Sequence, residues 1–363
     1  MAGSQTDNQI GDEAVDLTAA LAAETTALKS FTDPLSLAAV PGRLNLQARF
    51  KQAPEDFLVT ELSDVVLSGQ GEHCWLRVRK TGQNTAWVAR QLAEFAGVES
   101  QSVGYAGLKD RHAVTEQYFS VWLPGRDDPD WAAFDVAGVE IIEAKRHSSK
   151  LRRGELTGNS FRIVLRDVRG DICSDATALT GRLEQIAATG VPNYFGSQRF
   201  GIDGGNLDLF AALGRGARLS RNKKSFALSA ARSALFNAYL NRRVADGTWN
   251  QCLPEDVALS DRDGDLAAMC GTGITPAAAL PTGALPGTGG GRNGAGEADC
   301  LAGYSQTLAL LERLQVKQHR RSLWLPVAGL EFTVAKDEIT LQFALPPGCF
   351  ATAVLAALAD AIS

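Results

Sequence analysis

Nothing in the 363-residue sequence approaches the roughly 20 consecutive apolar residues that span a bilayer. The first 30 residues, MAGSQTDNQIGDEAVDLTAALAAETTALKS, lack the basic start and apolar middle of a secretory signal, so a cytoplasmic location is expected. The six cysteines (Cys74, Cys173, Cys252, Cys270, Cys300, Cys349) form no C-x-x-C pair. That excludes a zinc ribbon or a compact disulfide framework, and the thiols are expected to be reduced and mostly buried. The four histidines (His73, His112, His147, His319) show no H-x-x-x-H spacing. No metal is assigned. The glycine-rich GTGGGRNG lacks the Gly-Lys-Ser/Thr ending of a phosphate-binding P-loop, and no G-x-S-x-G elbow is present. No cofactor is expected.

With 45% hydrophobic residues over this length, the chain has enough apolar content for a sizeable core, and length favours two domains over one. The net charge of −5 is unevenly spread. Residues 1–40 carry six acids against one base, a local −5, and read as an acidic extension expected to be flexible. Residues 143–169 carry eight Lys/Arg against three acids, a local +5 that includes Lys150, Arg152 and Arg153. This stretch fits a phosphate-binding footprint and a solvated hairpin face equally well.

Strands are predicted at DFLVTEL, HCWLRVRK, EQYFSVWL, VEIIEAKR and SFRIVLRD from their β-branched and aromatic content. QNTAWVARQLAEFAG reads as a helix with a polar start at Asn84 or Thr85 and a closing Gly97. SDATALTGRLEQIAAT reads as another, capped at Ser174 or Asp175 and ended by Gly190. From about residue 206 to 318 the pattern turns mainly helical, interrupted by a Gly/Pro-rich stretch at about 271–299 that reads as a flexible surface loop. LWLPVAGL, EITLQFALP and CFATAVLAALADAI then return to the earlier style. The expected fold class is α/β (α+β): one α/β domain over 41–188 and 320–363, interrupted by a mainly helical insertion over 189–319.

GYAGLKDRHAVTEQYF, residues 104–119, places Asp110 between Lys109 and Arg111 in a glycine-punctuated turn. If either cation folds onto it, the carboxylate is held ionised, as a nucleophile or base requires. A solvated charge cluster is the rival reading, since neighbours in sequence often point apart.

Four segments, RFKQAPEDFLVTEL, YAGLKDRHAVTEQYFS, KLRRGELTGNSF with PNYFGSQRFG, and LPPGCFATAVL, resemble in order the signatures of the TruD family of tRNA pseudouridine synthases. The resemblance covers the chain from about Leu44 onward; the acidic extension and the Gly/Pro-rich stretch look like additions. It implies a pseudouridine-synthase domain with a mixed β-sheet and a TruD-type insertion, tRNA as partner, uridine 13 as target and Asp110 as nucleophile. It further implies substrate contacts from Phe57, Asn159 and Phe350, with Phe161 as a further stacking group.

Lys51 and Arg111 are the cations expected near the carboxylate or target phosphate, and Lys150, Arg152 and Arg153 suit the RNA backbone. A turn-forming role competes at Asn159 and a core role at both Phe57 and Phe350. Attack at the sugar C1′, addition at C6 and elimination all remain open for Asp110. The NYFGSQRFG stretch reads as an interdomain hinge with a contact role. Two other functions compete. A catalytically silent RNA-binding protein of the same fold would use the same basic segments. A carboxylate hydrolase would need a second acid, for which Glu55, Asp56 and Glu116 offer no evident pair. A monomer is expected.

Overall fold

A computed structural model of the chain describes residues 6–152, 154–170, 176–259, 280–289, 291, 293–335 and 337–362. Five helices matter first: α1 (Thr6–Lys29), α2 (Thr85–Ala96), α3 (Ala176–Thr189), α4 (Gly205–Gly214) and α5 (Arg221–Ala245). The strands in chain order are β1 (Leu44–Phe50), β2 (Phe57–Leu62), β3 (His73–Thr81), β4 (Val103–Tyr105), β5 (Val114–Trp122), β6 (Val139–His147) and β7 (Gly158–Gly170). They continue with β8 (Val191–Pro192), β9 (Ala258–Leu259), β10 (Leu280–Leu285), β11 (His319–Ser322), β12 (Trp324–Leu325), β13 (Ala328–Ala335), β14 (Glu338–Leu345) and β15 (Ala359–Ile362).

A ten-stranded mixed sheet runs β13-β14-β7-β2-β5-β3-β6, with β1 beside β7, β15 beside β1 and β4 beside β5. β2 pairs with β5 in parallel and with β7 antiparallel. One half of the sheet buries its apolar face under α3 and the C-terminal helix Ala351–Leu358, the other under α2. The α2 punctuation follows the sequence: the Asn84 side chain accepts from the Ala86 amide, and Gly97 closes the helix at φ 61°. The cap expected at Ser174 or Asp175 lies outside the described residues.

A separate hydrophobic core gathers α4, α5 and the helix Ser305–Arg313, and it is joined to the sheet domain through the short β8–β12 pair. Two regions differ from the sequence expectation. The acidic segment is not left loose: α1 places Leu21 and Leu28 inside this second core. Glu24 accepts from the Gln306 and Thr307 amides at 3.0 and 2.8 Å, capping the helix Ser305–Arg313, whose own cap residue Tyr304 makes no such bond. Charge dominated the composition, but two leucines one helical face apart decide the packing.

The stretch expected as a loop at about 271–299 contains β10, buried between β9 and β11, and the helix Ala295–Leu301. Its Gly283 is no flexibility signal: the Phe236 ring of α5 lies 3.0 Å from where a Cβ would stand. Residues 271–279 lie outside the described residues. Of the four described cysteines, none in a disulfide, only Cys74 is buried, because Cys252, Cys300 and Cys349 fall on loops or helix edges. No described helix is long and apolar enough to cross a membrane.

Candidate active site

Asp110 lies in the connection between β4 and β5, and the loop is clamped from several sides. The Thr85 hydroxyl at the start of α2 accepts from the Lys109 amide at 3.0 Å and donates to Gln117 at 2.9 Å, while Gln117 reaches the Gly107 carbonyl at 3.3 Å. Lys109 turns away from its neighbour and pairs with Glu61 of β2 at 2.5 Å, in the interior. Gly104 is required for a close approach, since a Cβ there would stand 2.6 Å from the Leu151 carbonyl oxygen. That approach brings the basic segment alongside the motif.

Neither sequence neighbour neutralises Asp110. Arg111 is exposed and donates to the Gly82 carbonyl at 3.0 Å, so of the two places expected for it, the carboxylate and the target phosphate, it does not take the first. The cation in place is Lys51, whose ammonium donates to Asp110 Oδ2, while the His112 amide donates to Oδ1 at 2.9 Å. Burial opposes the Asp110 charge, but the Lys51 ammonium and the His112 amide outweigh it and hold the carboxyl below its usual range. Lys51 is held at φ 60°, a left-handed conformation unusual for a side-chain-bearing residue, with its ammonium 4.3 Å from the Phe57 ring centre.

Sequence reasoning missed Lys80. Fully buried on β3, it donates to the Asp110 carbonyl at 2.9 Å, and burial pushes its ammonium down to about 8 against the pull of Asp110. The alternation in HCWLRVRK places it on the inward face, which is the signal that could have found it. The Lys109–Glu61 pair has no sequence signal, because it joins residues 48 positions apart on separate elements.

The pleat gathers the rest. Val59 lies opposite Phe161 and Phe161 opposite Phe343, so Phe57, Val59, Asn159, Phe161 and Phe343 share one face of β2, β7 and β14. Phe57 and Phe161 stack at 6.1 Å between ring centres, and Phe161 stacks on Phe343 at 5.6 Å. Asp56 fixes the approach to Phe57: its carboxylate accepts from the Ala53 amide and from Arg166 at 2.7 Å.

A cavity of about 340 Å³ opens over this face, lined by Lys51, Phe57, Asn159, Phe161 and Phe350 with Asp110 at its edge. Among the described residues Asp110 is the single carboxylate lining it. Asn159 Oδ1 is buried and has no hydrogen-bond partner among the described residues. Glu116 is held by Arg77 and Arg79, and Asp56 by Arg166, outside the cavity. A second chamber of about 670 Å³ shares Phe50, Lys51, Asp110, Gln198 and Thr352 with the first.

The NYFGSQRFG stretch is both junction and wall. Asn193 binds the Leu323 and Ser322 carbonyls, Phe195 packs against Phe350 at 5.8 Å, and Gln198 faces both chambers. Of the basic segment, Lys150 reaches the Gln101 carbonyl at 2.6 Å, Arg152 is exposed near the cavity-lining Gly154, and Arg153 lies outside the described residues.

Comparison with known proteins agrees with the motifs. The family model for tRNA pseudouridine synthase D (TruD) matches residues 42–213 and 208–358. A Vibrio cholerae protein named tRNA pseudouridine synthase D is 42% identical over 346 residues, covering 91% of this chain and 94% of that one. A Pseudomonas aeruginosa protein of the same name is 44% identical over 343 residues, covering 87% and 91%. A solved structure of a Methanosarcina mazei protein assigned as TruD superposes with a TM-score of 0.65 at 19% identity, covering 87% of this chain and 94% of that one, and so shares the fold. With a family model spanning most of the chain and relatives above 40% identity over nearly its whole length, the chain belongs to the tRNA pseudouridine synthase D (TruD) family.

Proposed function

We propose that this enzyme, a monomer acting in the cytoplasm, isomerises uridine 13 of tRNA to pseudouridine, with Asp110 as nucleophile on a flipped-out base. The observation that carries this reading is the lone ionised carboxylate at the edge of an aromatic-walled cavity. A hydrolase built on an acid–base pair would need a second carboxylate there. A flipped pyrimidine needs a flat apolar surface and a few polar partners for its edge. Phe57, Phe161 and Phe350 supply the first, and the unpartnered Asn159 Oδ1 is an acceptor suited to the N3–H of uracil.

In the reaction the N1–C1′ bond breaks, a C5–C1′ bond forms, the C5 proton leaves and N1 takes one up. The exchange consumes no oxidant or reductant. Lys51 keeps Asp110 charged until the nucleotide arrives, and the loop clamps hold the carboxylate in place. Lys150, Arg152 and Arg153 contribute phosphate contacts outside the cavity. The test is Asp110→Asn assayed for pseudouridine on transcribed tRNA, with the modified position mapped. Conversion at position 13 by the wild type, and none by a variant that still folds and binds tRNA, is expected; turnover by the variant near the wild-type rate would overturn the assignment.

A further inference from the structure

We propose that Ile202 is the wedge that enters the tRNA base stack as the target uridine leaves it, with Leu108 meeting the strand on the other side of Asp110. This rests on the reading of Asp110 as the group that meets a flipped uridine, and it adds the residue that displaces the base.

Ile202 is 91% exposed and Leu108 64% exposed. Neither lies on an incidental surface: Ile202 lines the larger chamber, Leu108 the smaller, and Asp110 stands where the two chambers meet. Large aliphatic side chains held in water beside a binding cleft mark an interaction surface. In a cleft that takes RNA, an apolar wedge between base steps replaces the stacking that extrusion removes.

The backbone around Ile202 is built to hold it out. Gly201, Asp203 and Gly204 all have positive φ, at 75°, 52° and 73°, and Asp203 is a side-chain-bearing residue in the left-handed region. Strain of that kind persists only where the surroundings enforce it. Here Asn206 does so, its amide donating to the Phe200 carbonyl at 2.9 Å and its side chain to the Arg199 carbonyl at 3.2 Å. Lys29 of α1 pairs with Asp208 at 2.8 Å, and its stem passes 3.5 Å from where a Gly204 side chain would begin. A braced tip loses little freedom on insertion, as a wedge requires. Asp33 and Asp203 also face this chamber and repel phosphate. The RNA backbone is thereby kept outside, and the chamber is left to bases and aliphatic contacts.

The experiment compares wild type, Ile202→Ala, Ile202→Leu and Asp110→Asn on transcribed tRNA carrying 2-aminopurine next to the target uridine. Ile202→Ala should melt like the wild type, lose about tenfold or more in kcat/KM on folded tRNA, and fail to raise the 2-aminopurine fluorescence that reports unstacking. Ile202→Leu should restore most of both. A tRNA with an abasic nucleotide beside the target, already unstacked, should be converted by Ile202→Ala and wild type within about twofold. Wild-type kinetics and fluorescence for Ile202→Ala, or an equal loss on both substrates, would overturn the wedge while the contrast between wild type and Asp110→Asn leaves the parent reading standing. Full activity of Asp110→Asn, or no pseudouridine from the wild type, would take down both.

Discussion

Replacing Lys109 by methionine is a sharp test of how the catalytic loop is held. The Lys109–Glu61 pair is almost fully enclosed, with side-chain exposures of 8% and 0%. Burial already pushes the Glu61 carboxyl up despite its lysine partner. Without Lys109, Glu61 avoids an isolated interior charge by taking up a proton. From an ordinary carboxylate value of about 4.3 to pH 7 is about 2.7 units, which at about 1.36 kcal/mol per unit sets a ceiling of about 3.7 kcal/mol on the loss, lowered by the part that the raised wild-type carboxyl already bears.

That figure falls within the roughly 3–5 kcal/mol typical of breaking a buried ion pair. A group with a raised folded value contributes its stability below the unfolded value and loses it as pH rises, so the same variant should lose only about 1 kcal/mol at pH 5. Glu61→Gln combined with Lys109→Met should recover to within about 1 kcal/mol of the wild type at pH 7, since no charge is then stranded. Urea unfolding followed by tryptophan fluorescence at both pH values measures all three proteins. A single-variant loss below about 1 kcal/mol at pH 7, a loss that does not shrink at pH 5, or a double variant no better than the single would refute the reasoning.

Lys51→Met should move the acid limb of the pH–rate profile upward, because burial then raises the Asp110 carboxyl unopposed by its main cation. Asp110 has a depressed folded value, so its charge and the stability it contributes are present above the unfolded value and lost as pH falls through the folded one; superimposable profiles for variant and wild type would refute this. Replacing Lys150, Arg152 and Arg153 together by alanine should weaken binding to every RNA tested and flatten the salt dependence by about three phosphate contacts, while the same uridine is converted. An unchanged salt slope would move the backbone-binding surface to another face.

The motif residues were legible through the resemblance of their segments to the TruD signatures, since the residues alone left turn, core and surface roles open. Phe57, Asn159, Phe161 and Phe350 meet in one cavity with Asp110 and Lys51, and the alternation of β2 and β7 accounts for the first three. The helix α2 was legible from its two ends, Asn84 and Gly97. What stayed hidden depends on partners remote in the chain. Arg111 stands beside Asp110 in sequence yet serves the Gly82 carbonyl, whereas Lys51, the other cation expected there, does reach the carboxylate from 59 positions away. β10 reads as a loop because Pro281 and Gly283 signal one locally, whereas the Phe236 ring against Gly283 is a tertiary fact. The acidic segment hid its role for the same reason: Leu21 and Leu28 have no visible partner until α5 and the helix Ser305–Arg313 are in place.

The parallel pairing of β1 with β15 joins Leu44 to Ala359 and Ala48 to Ile362. On the ribosome the first strand of the sheet therefore waits for residues made more than 300 positions later. Until they emerge, β1 has β7 on one side and an open edge on the other, the kind of edge that recruits other chains. α1 waits as well, its leucines exposed until the helices of the second core have been translated. Both bodies thus close late and by long-range contacts, which makes the nascent chain a natural client for chaperones that shield apolar surface and strand edges during synthesis.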